Sequence, residues 1–359
     1  MLVRLCFEAD SLQRLTQRGR HACDNIGLAA FFGNLIPVAP RPLLAALSDW
    51  AELSERARAA YRVILGRAAE NDALLSRVPA RLDARLDLDE PRRAGDVWEV
   101  PLSLFGSDRI LQPPVLLSEN VQDAKLYCEL GRLFAWHSRC RGSIAFVCAA
   151  EGGGGNQTAS ELVERSRRHM VFCVVDSDRA HPTGALGATA RGCRTALPSD
   201  EWFARLYVLA EREIENLLPT SWIGRTQTLV QEPAIRDALQ LLDRTRDRNL
   251  RRFGDLKDGF TLCELLRLGD STLGLVLAEM AELKAHVPAV RDCLADDDRA
   301  CERPCFKLAP LGSTIVGQVL TWLSECSPRD CGDVTMPGSI QELASLVFCW
   351  GAAMPPVRV

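Results

Sequence analysis

Three groups of acidic residues between positions 115 and 219 constrain the fold of this chain more than any other feature. Each group follows a short apolar run, and the runs read VLLS, MVFCVV and FARLYVLA. Such runs are typical of strands buried on both faces of a sheet. In open α/β sheets, functional groups gather beyond the carboxyl ends of the strands. The sequence therefore predicts an α/β core with carboxylates after several strands: Glu119 and Asp123, Asp176 and Asp178, and Glu211, Glu213 and Glu215.

Carboxylates grouped in this way repel one another unless a positive charge lies among them. Glu119 and Asp123 are four residues apart, from a strand end into a first helical turn, so both can lie on one side. Asp176 and Asp178 are two residues apart and would point the same way from an extended segment. Hard divalent cations prefer oxygen ligands, and we therefore expect Mg²⁺ or Mn²⁺ as the cofactor.

Each of these groups also has an interpretation that needs no metal. Asp123 is favourable in the first turn of a helix, and Asp178 is a common turn former. Glu211 and Glu213 can be surface charges, and Glu211 can interact with the dipole of a short helix. The glycine run, residues 152–155, lets the backbone approach a phosphate or a metal-bound ligand, but a tight turn after a strand explains it equally well.

Four features follow one another along the core: Glu119-x-x-x-Asp123, the glycine run, Asp176-Ser-Asp178 and the segment REIENLLP, which contains Glu215. In this order they resemble TOPRIM domains, and most of all the TOPRIM nuclease domain of the OLD (overcoming lysogenization defect) family. The resemblance covers residues 115–219. It implies a TOPRIM-like, mostly parallel sheet that is flanked by helices.

The same resemblance implies a metal-dependent nuclease that cleaves phosphodiester bonds of DNA or RNA. It implies that five carboxylates bind the metal ions: Glu119, Asp123, Asp176, Asp178 and Glu215. In such sites one metal helps to deprotonate a water and another stabilises the leaving oxygen. Lys257 is a further candidate because a lysine can stabilise charge on a transferred phosphate, although an ordinary surface lysine is an equally good interpretation.

The sequence predicts three domains, which are an N-terminal mostly helical region (1–110), the TOPRIM domain (111–222) and a C-terminal helical region (223–359). Helical spacing of apolar residues from Leu43 to Leu82 supports the first region, and VWEVPLSLFG after it reads as a strand or hairpin arm. The core strands are PVLLSE, SIAFVCAAE, HMVFCVVD and WFARLYVL. RAHPTGALGATARGC reads as a loop and EPAIRDALQLLDRTRDRNLRRF as one helix.

The chain lacks the G-x-x-x-x-G-K-[ST] phosphate loop, whereas OLD-type nucleases usually carry an ATPase domain. The resemblance to a stand-alone TOPRIM nuclease therefore implies an effector of bacterial anti-phage defence with an ATPase or sensor partner, and it leaves a homo-oligomer open. Two other functions stay open. One is a non-catalytic TOPRIM binding or regulatory subunit of an ATPase complex. The other is a primase- or topoisomerase-related enzyme, which is disfavoured because no tyrosine has an evident motif.

The net charge of −4 argues against a generally basic nucleic-acid binder, but it allows a local basic groove. The arginine-rich stretch from Arg244 to Arg252 can contact phosphates or form a solvated helix face. No apolar run reaches the length of a membrane helix, and the start lacks the apolar core of a signal peptide, so we expect a cytoplasmic protein.

Most of the 14 cysteines should then be reduced thiols. Four of them can form a structural Zn²⁺ site, although their spacing is looser than usual: Cys301, Cys305, Cys326 and Cys331.

Overall fold

The computed structural model describes residues 1–138, 144–226, 231–245, 248–260, 279, 310–326, 336 and 338–358. Contacts divide the chain into two compact units. Unit 1 comprises Met1–Val174, Gly192–Tyr207 and Pro328–Val359, and unit 2 comprises Val175–Arg191 and Val208–Ser327. The protein is α/β, with mostly parallel sheets flanked by helices. The three-domain division stays a prediction.

The N-terminal part of unit 1 contains a five-stranded sheet in the order β2-β1-β3-β5-β4. Its strands are β1 (Leu2–Leu5), β2 (Ile36–Val38), β3 (Arg81–Arg85), β4 (Arg92–Ala94) and β5 (Val97–Pro101). All neighbours are parallel except the β4–β5 hairpin. The sequence predicted the β5 arm, but it did not predict the other four strands.

Four helices accompany this sheet: α1 (Gln17–Phe32), α2 (Arg41–Asp49), α3 (Glu55–Gly66) and α4 (Ala68–Leu75). Helix α3 packs against α1 so closely that a β-carbon on Gly27 would lie 2.6 Å from that of Ala57. The buried Tyr61 hydroxyl donates to the carbonyl oxygen of Cys23 at 2.7 Å. The helical pattern predicted between Leu43 and Leu82 is therefore confirmed, although its last residues belong to β3.

The second sheet has the order β10-β9-β6-β8. Its strands are β6 (Val115–Ser118), β8 (Ala149–Gly152), β9 (Val171–Val175) and β10 (Ala204–Val208), and β6 is parallel to both β8 and β9. Helix α5 (Val121–His137) follows β6, and helix α6 (Thr158–Ser166) follows β8. Because the chain places β8 on one side of β6 and β9 on the other, the topological switch point lies between β6 and β9. The predicted alternation of strands and helices is confirmed here.

The predicted strand SIAFVCAAE is wrong as a single element. It forms β7 (Ala145–Phe146) and then β8, and β7 pairs antiparallel with β11 (Ala352–Ala353). The Phe146 ring packs closely on two glycines, since a β-carbon on Gly131 or Gly351 would lie 2.6 or 2.5 Å from it. This packing joins β7 to α5 and to the C-terminal helix that ends at Gly351.

Two further sequence expectations are corrected. The predicted loop RAHPTGALGATARGC is helical in its last part, because α7 (Ala188–Ala196) begins within it. Its alanines favour helix, and Ala190 and Cys193 become fully buried. The predicted single helix after residue 231 is two helices, α10 (Pro233–Arg244) and α11 (Asn249–Phe253). Helix α10 stops before Thr245, because the backbone of Thr245 is extended and its hydroxyl donates to the carbonyl of Leu242.

The remaining described helices are α8 (Ile214–Leu217), α9 (Thr220–Ile223), α12 (Ile315–Glu325) and α13 (Gly338–Gly351). Short 3-10 turns cover Ala9–Arg14, Leu102–Gly106, Asp108–Leu111 and Gly155–Gln157. Apart from Glu279, residues 261–309 of the predicted C-terminal helical region lie outside the described residues. Within the described part of the chain, no helix is long and apolar enough to span a membrane.

Candidate functional site

Glu119 and Asp123 stand where β6 passes into α5. Asn120 caps this helix, because its Oδ1 accepts the amides of Gln122 and Asp123 at 2.8 and 3.0 Å. Asp123 is buried, and its carboxylate accepts a hydrogen bond from Asn120 Nδ2. A carboxylate in the first helical turn also interacts favourably with the helix dipole. Asp123 therefore has a local structural role at the start of α5.

The glycine run packs against the same strand end. The amide of Gly153 donates to the carbonyl of Ser118 at 2.7 Å, and those of Gly154 and Gly155 donate to the carbonyl of Glu119 at 2.9 and 3.3 Å. A β-carbon on Gly153 would lie 2.5 Å from Oγ1 of Thr158. These glycines thus allow the backbone of the run to pack closely against neighbouring parts of the same chain. The turn interpretation accounts for them, and these three amides are not directed at a phosphate.

The Glu119 carboxylate also lies near two buried thiols of unit 1. The hydrogen bond between Cys173 and Cys193, together with burial, raises the pKa of Cys173 well above its ordinary value, and the charge of Glu119 raises it further. The hydrogen bond with Cys173 lowers the pKa of Cys193, whereas burial and the charge of Glu119 oppose this effect. The side chain of Glu119 therefore lies within electrostatic reach of the interior of unit 1.

In unit 2, Asp176 and Asp178 flank a fully buried serine. The amides of Ser177 and Asp178 both donate to the carbonyl of Arg212 at 3.0 Å, and the Ser177 hydroxyl donates to the carbonyl of Glu211 at 2.6 Å. Asp178 has a φ of +52°, a left-handed conformation that aspartate tolerates better than most residues. Asp178 thus has a left-handed backbone of the kind that turns often contain, and the three hydrogen bonds fix both acids beside residues 211–212.

Glu211 is only 6% exposed, so the interpretation of this residue as a surface charge is wrong. Its Oε1 lies 3.2 Å from two nitrogens of the Arg252 guanidinium. A buried carboxylate is costly unless it is paired, and Arg252 supplies the pair.

Glu213, Glu215 and Asp255 form an acidic group of unit 2 whose charge is incompletely compensated. Burial raises the carboxyl pKa of both glutamates, the charge of Asp255 raises them further, and Glu213 also raises that of Glu215. Arg212 opposes this effect, with its Nε at 3.3 Å from Glu213 and a terminal nitrogen at 3.0 Å from Asp255. Among the described residues, no hydrogen-bond partner reaches the buried Oε2 of Glu213.

Lys257 is exposed, and its charge lowers the carboxyl pKa of Glu213 and of Glu215. The structure therefore brings together two of the residues that the sequence singled out, Glu215 and Lys257. Glu213, also a candidate from the sequence, lies with them, and Asp255 is the one member of this group that the sequence did not predict.

Two buried residues hold this acidic group in place, and the sequence did not predict this role for either of them. Asn216 accepts the amide of Glu213 at 3.0 Å and donates to the carbonyls of Arg251 and Gly254 at 3.0 and 2.9 Å. Arg251 is 5% exposed and donates to the carbonyls of Glu215, Asn216 and Leu218. Both interpretations of the arginine-rich stretch, phosphate contact and solvated face, are thus wrong for Arg251. The sequence feature that could have pointed to Asn216 is its position in the segment REIENLLP.

The donor set of the predicted site is made of carboxylate oxygens, which suits Mg²⁺ or Mn²⁺. Within the described ranges, no three His, Cys, Asp or Glu side chains form a group that could hold a metal ion in their present arrangement. Three of the predicted zinc ligands, Cys301, Cys305 and Cys331, lie outside the described residues. Cys326, the fourth, is a partly exposed free cysteine that follows α12.

No protein-family model matches this chain, and neither a curated protein nor a solved structure is significantly similar to it. The TOPRIM resemblance therefore rests on the residues of this sequence and on their order.

Proposed function

We propose that the protein is a Mg²⁺- or Mn²⁺-dependent nuclease that cleaves phosphodiester bonds of DNA or RNA. The observation that carries the proposal is the acidic group of Glu213, Glu215 and Asp255 beside the exposed Lys257. Burial raises the carboxyl pKa of Glu215, and a divalent cation bound beside it would stabilise its charged form. The TOPRIM resemblance supplies the class of reaction and the context of anti-phage defence with an ATPase or sensor partner.

The metal ligands that the TOPRIM resemblance implies stay part of this proposal: Glu119, Asp123, Asp176, Asp178 and Glu215. When bound, divalent cations supply an activated water and neutralise charge on the phosphate. Lys257 can bind a phosphate oxygen through its ammonium group, because it is exposed and lies near Glu215. The role of Asn216 and Arg251 is positional, since their hydrogen bonds hold the backbone on both sides of Glu215.

The test is a cleavage assay on plasmid, single-stranded DNA and tRNA with Mg²⁺ or Mn²⁺, and with excess chelator. We expect cleavage only with metal, and a loss of at least about 10²-fold in rate for Glu215→Gln and for Asp176→Ala. Glu232→Gln is the matched control, since Glu232 is exposed in the same unit and should keep full activity. Cleavage that persists in excess chelator would overturn the proposal.

A second candidate function is a non-catalytic binding or regulatory subunit of an ATPase complex. It is favoured by the structural roles of Asp123, which is bonded to the cap of α5, and Glu211, which is paired with Arg252. On this view the purified chain cleaves no nucleic acid, and an ATPase is recovered with it from its host. Glu215→Gln should then leave recovery of the ATPase unchanged, whereas metal-dependent cleavage by the isolated chain would exclude this candidate.

A further inference from the structure

Unit 2 contains a cleft of about 490 Å³ that the predicted site does not use. It lies between α9 and α10, and its wall includes three arginines together with polar side chains: Arg225, Arg236, Arg244, Gln240, Thr220 and Asp243. No aromatic side chain lines it among the described residues. Three guanidinium groups against one carboxylate make this wall predominantly cationic.

The arginines are arranged as a row. Arg236, Gln240 and Arg244 are spaced by four residues on α10 and so lie on one side of that helix. Two residues eight positions apart are separated by about 12 Å along a helix axis. Arg225 follows α9 and adds a third guanidinium to the cleft. A row of this length suits a series of anionic groups better than one small anion.

The negative charge of the cleft is already neutralised. Asp243, the one acid among the described residues of its wall, accepts a hydrogen bond from the Thr220 hydroxyl at 2.6 Å and lies 3.2 Å from Nε of Arg251. Arg251 is buried, so it compensates Asp243 without lining the cleft itself. Among the described residues Arg236 forms an ion pair with the exposed Asp237 alone, at 3.6 Å, and exposed pairs of this kind contribute little. The three arginines therefore leave a positive surplus facing solvent.

We propose that this cleft binds the phosphate backbone of a single nucleic-acid strand. Guanidinium groups match phosphate oxygens in two-point hydrogen bonds, so a row of three arginines suits a phosphate backbone. Stacking of bases needs aromatic side chains, and the described wall has none. The cleft therefore contacts the phosphates and makes no sequence-specific contact with the bases. The identity of the ligand as nucleic acid rests on the proposed nuclease function.

The experiment measures binding of a fluorescently labelled oligo-dT strand by anisotropy, in excess chelator so that no cleavage occurs. The variant Arg236→Gln/Arg244→Gln should raise Kd at least tenfold at low salt. It should also reduce the slope of log affinity against log salt by about 1.4, since each phosphate contact on a single strand contributes roughly 0.7. Arg18→Gln/Arg62→Gln is the matched control, because both arginines are exposed on α1 and α3 and the change in net charge is the same.

An abasic strand of equal length should bind as tightly as oligo-dT, within about threefold, because only phosphates are contacted. A free nucleoside triphosphate should compete only at far higher concentration, because it cannot span the arginine row. Equal binding by the double variant and the wild type would overturn the assignment, and so would equal competition by the triphosphate.

The outcomes also separate this proposal from the nuclease proposal. If the chain binds the strand through Arg236 and Arg244 but cleaves nothing with metal, the strand-binding proposal holds and the nuclease proposal is wrong. If cleavage depends on metal but its KM is unchanged in the double variant, the nuclease proposal holds and the strand-binding proposal is wrong. Melting temperatures of both double variants should equal that of the wild type, because all four arginines are exposed.

Discussion

Gly187 and Asp178 lie so close together that no larger residue fits at position 187. A β-carbon there would lie 1.9 Å from Oδ2 of Asp178 and 2.6 Å from its β-carbon. The amide of Gly187 also donates to the carbonyl of Ser177 at 2.8 Å. Because a real β-carbon essentially never approaches another atom so closely, Gly187 determines where the Asp178 carboxylate can be.

The first prediction is that Gly187→Ala displaces Asp178. The added methyl must push the carboxylate or the backbone aside, so we expect a lower melting temperature and at least a tenfold loss of metal-dependent cleavage. The control is Gly317→Ala within α12, where a β-carbon would meet nothing within 4 Å. That change should stabilise the helix by up to about 1 kcal/mol. An unchanged melting temperature and rate in Gly187→Ala would contradict this account of the contact.

The central sheet could be predicted from the sequence because its signals are local. Strands β6, β9 and β10 are short apolar runs, and Asn120 is a good capping residue directly before an amphipathic helix. Glu215 was a candidate because its segment resembles TOPRIM domains, and Lys257 because a lysine can stabilise charge on a phosphate. Local signals could not reveal Asp255, whose relation to Glu213 and Glu215 depends on contacts between distant parts of the chain.

Strand β3 shows why the N-terminal sheet could not be predicted. Its sequence RLDAR is too charged to resemble a buried strand, yet Asp83 is only 2% exposed. The burial is made possible by ion pairs with Arg4 of β1 and with Arg81 at 2.9 Å. Arg4 is 79 positions away from Asp83, so a local pattern cannot show that this charge will be compensated.

The second prediction concerns Arg251, which donates to three backbone carbonyls around Glu215 and pairs with Asp243. Arg251→Ala leaves those groups unsatisfied, and we expect it to lower the free energy of unfolding by about 3–5 kcal/mol. Arg251→Lys should recover less than half of that loss, because one ammonium group cannot replace a planar fork of donors. Urea unfolding measures both effects.

Arg236→Ala is the control for this measurement, since its side chain is half exposed and its loss should change stability by no more than about 0.5 kcal/mol. If Arg251→Lys were as stable as the wild type, the several hydrogen bonds that the guanidinium group donates would not be what stabilises the backbone around Glu215.

The third prediction is a pH dependence of stability that comes from Glu213 and Glu215. Burial raises the pKa of both carboxyl groups in the folded chain, so the folded state binds protons more tightly than the unfolded state. Their contribution to stability is therefore fully present below the unfolded pKa of about 4.3 and is lost as pH rises through the folded pKa. Glu213→Gln/Glu215→Gln should remove this part of the dependence.

Melting temperatures between pH 4 and pH 8, without divalent metal, measure this effect. The wild type should lose stability relative to the double variant as pH rises, whereas Glu232→Gln should follow the wild type because Glu232 is exposed. Parallel curves for the wild type and the double variant would show that these two glutamates titrate alike in the folded and unfolded states.

The last prediction separates a metal site from acids that only cap helices and form turns. If Asp178 serves only its turn, Asp178→Asn should keep the melting temperature, because asparagine also tolerates the left-handed conformation that Asp178 adopts. The same variant should then show the same response to Mn²⁺ as the wild type. If Asp178 binds metal, Mn²⁺ should raise the wild-type melting temperature, because a ligand that binds only the folded state stabilises it.

Under the metal-binding alternative, Asp178→Asn should lose both the Mn²⁺ response and cleavage while its metal-free melting temperature stays equal or rises, because a repelling charge has been removed. Asp237→Asn is the matched control, since Asp237 is exposed on α10 and should keep the full Mn²⁺ response. The decisive measurement is therefore a set of thermal melts of these three proteins with and without Mn²⁺. We expect the shift in the wild type and in Asp237→Asn only, and a full shift in Asp178→Asn would assign Asp178 to the turn alone.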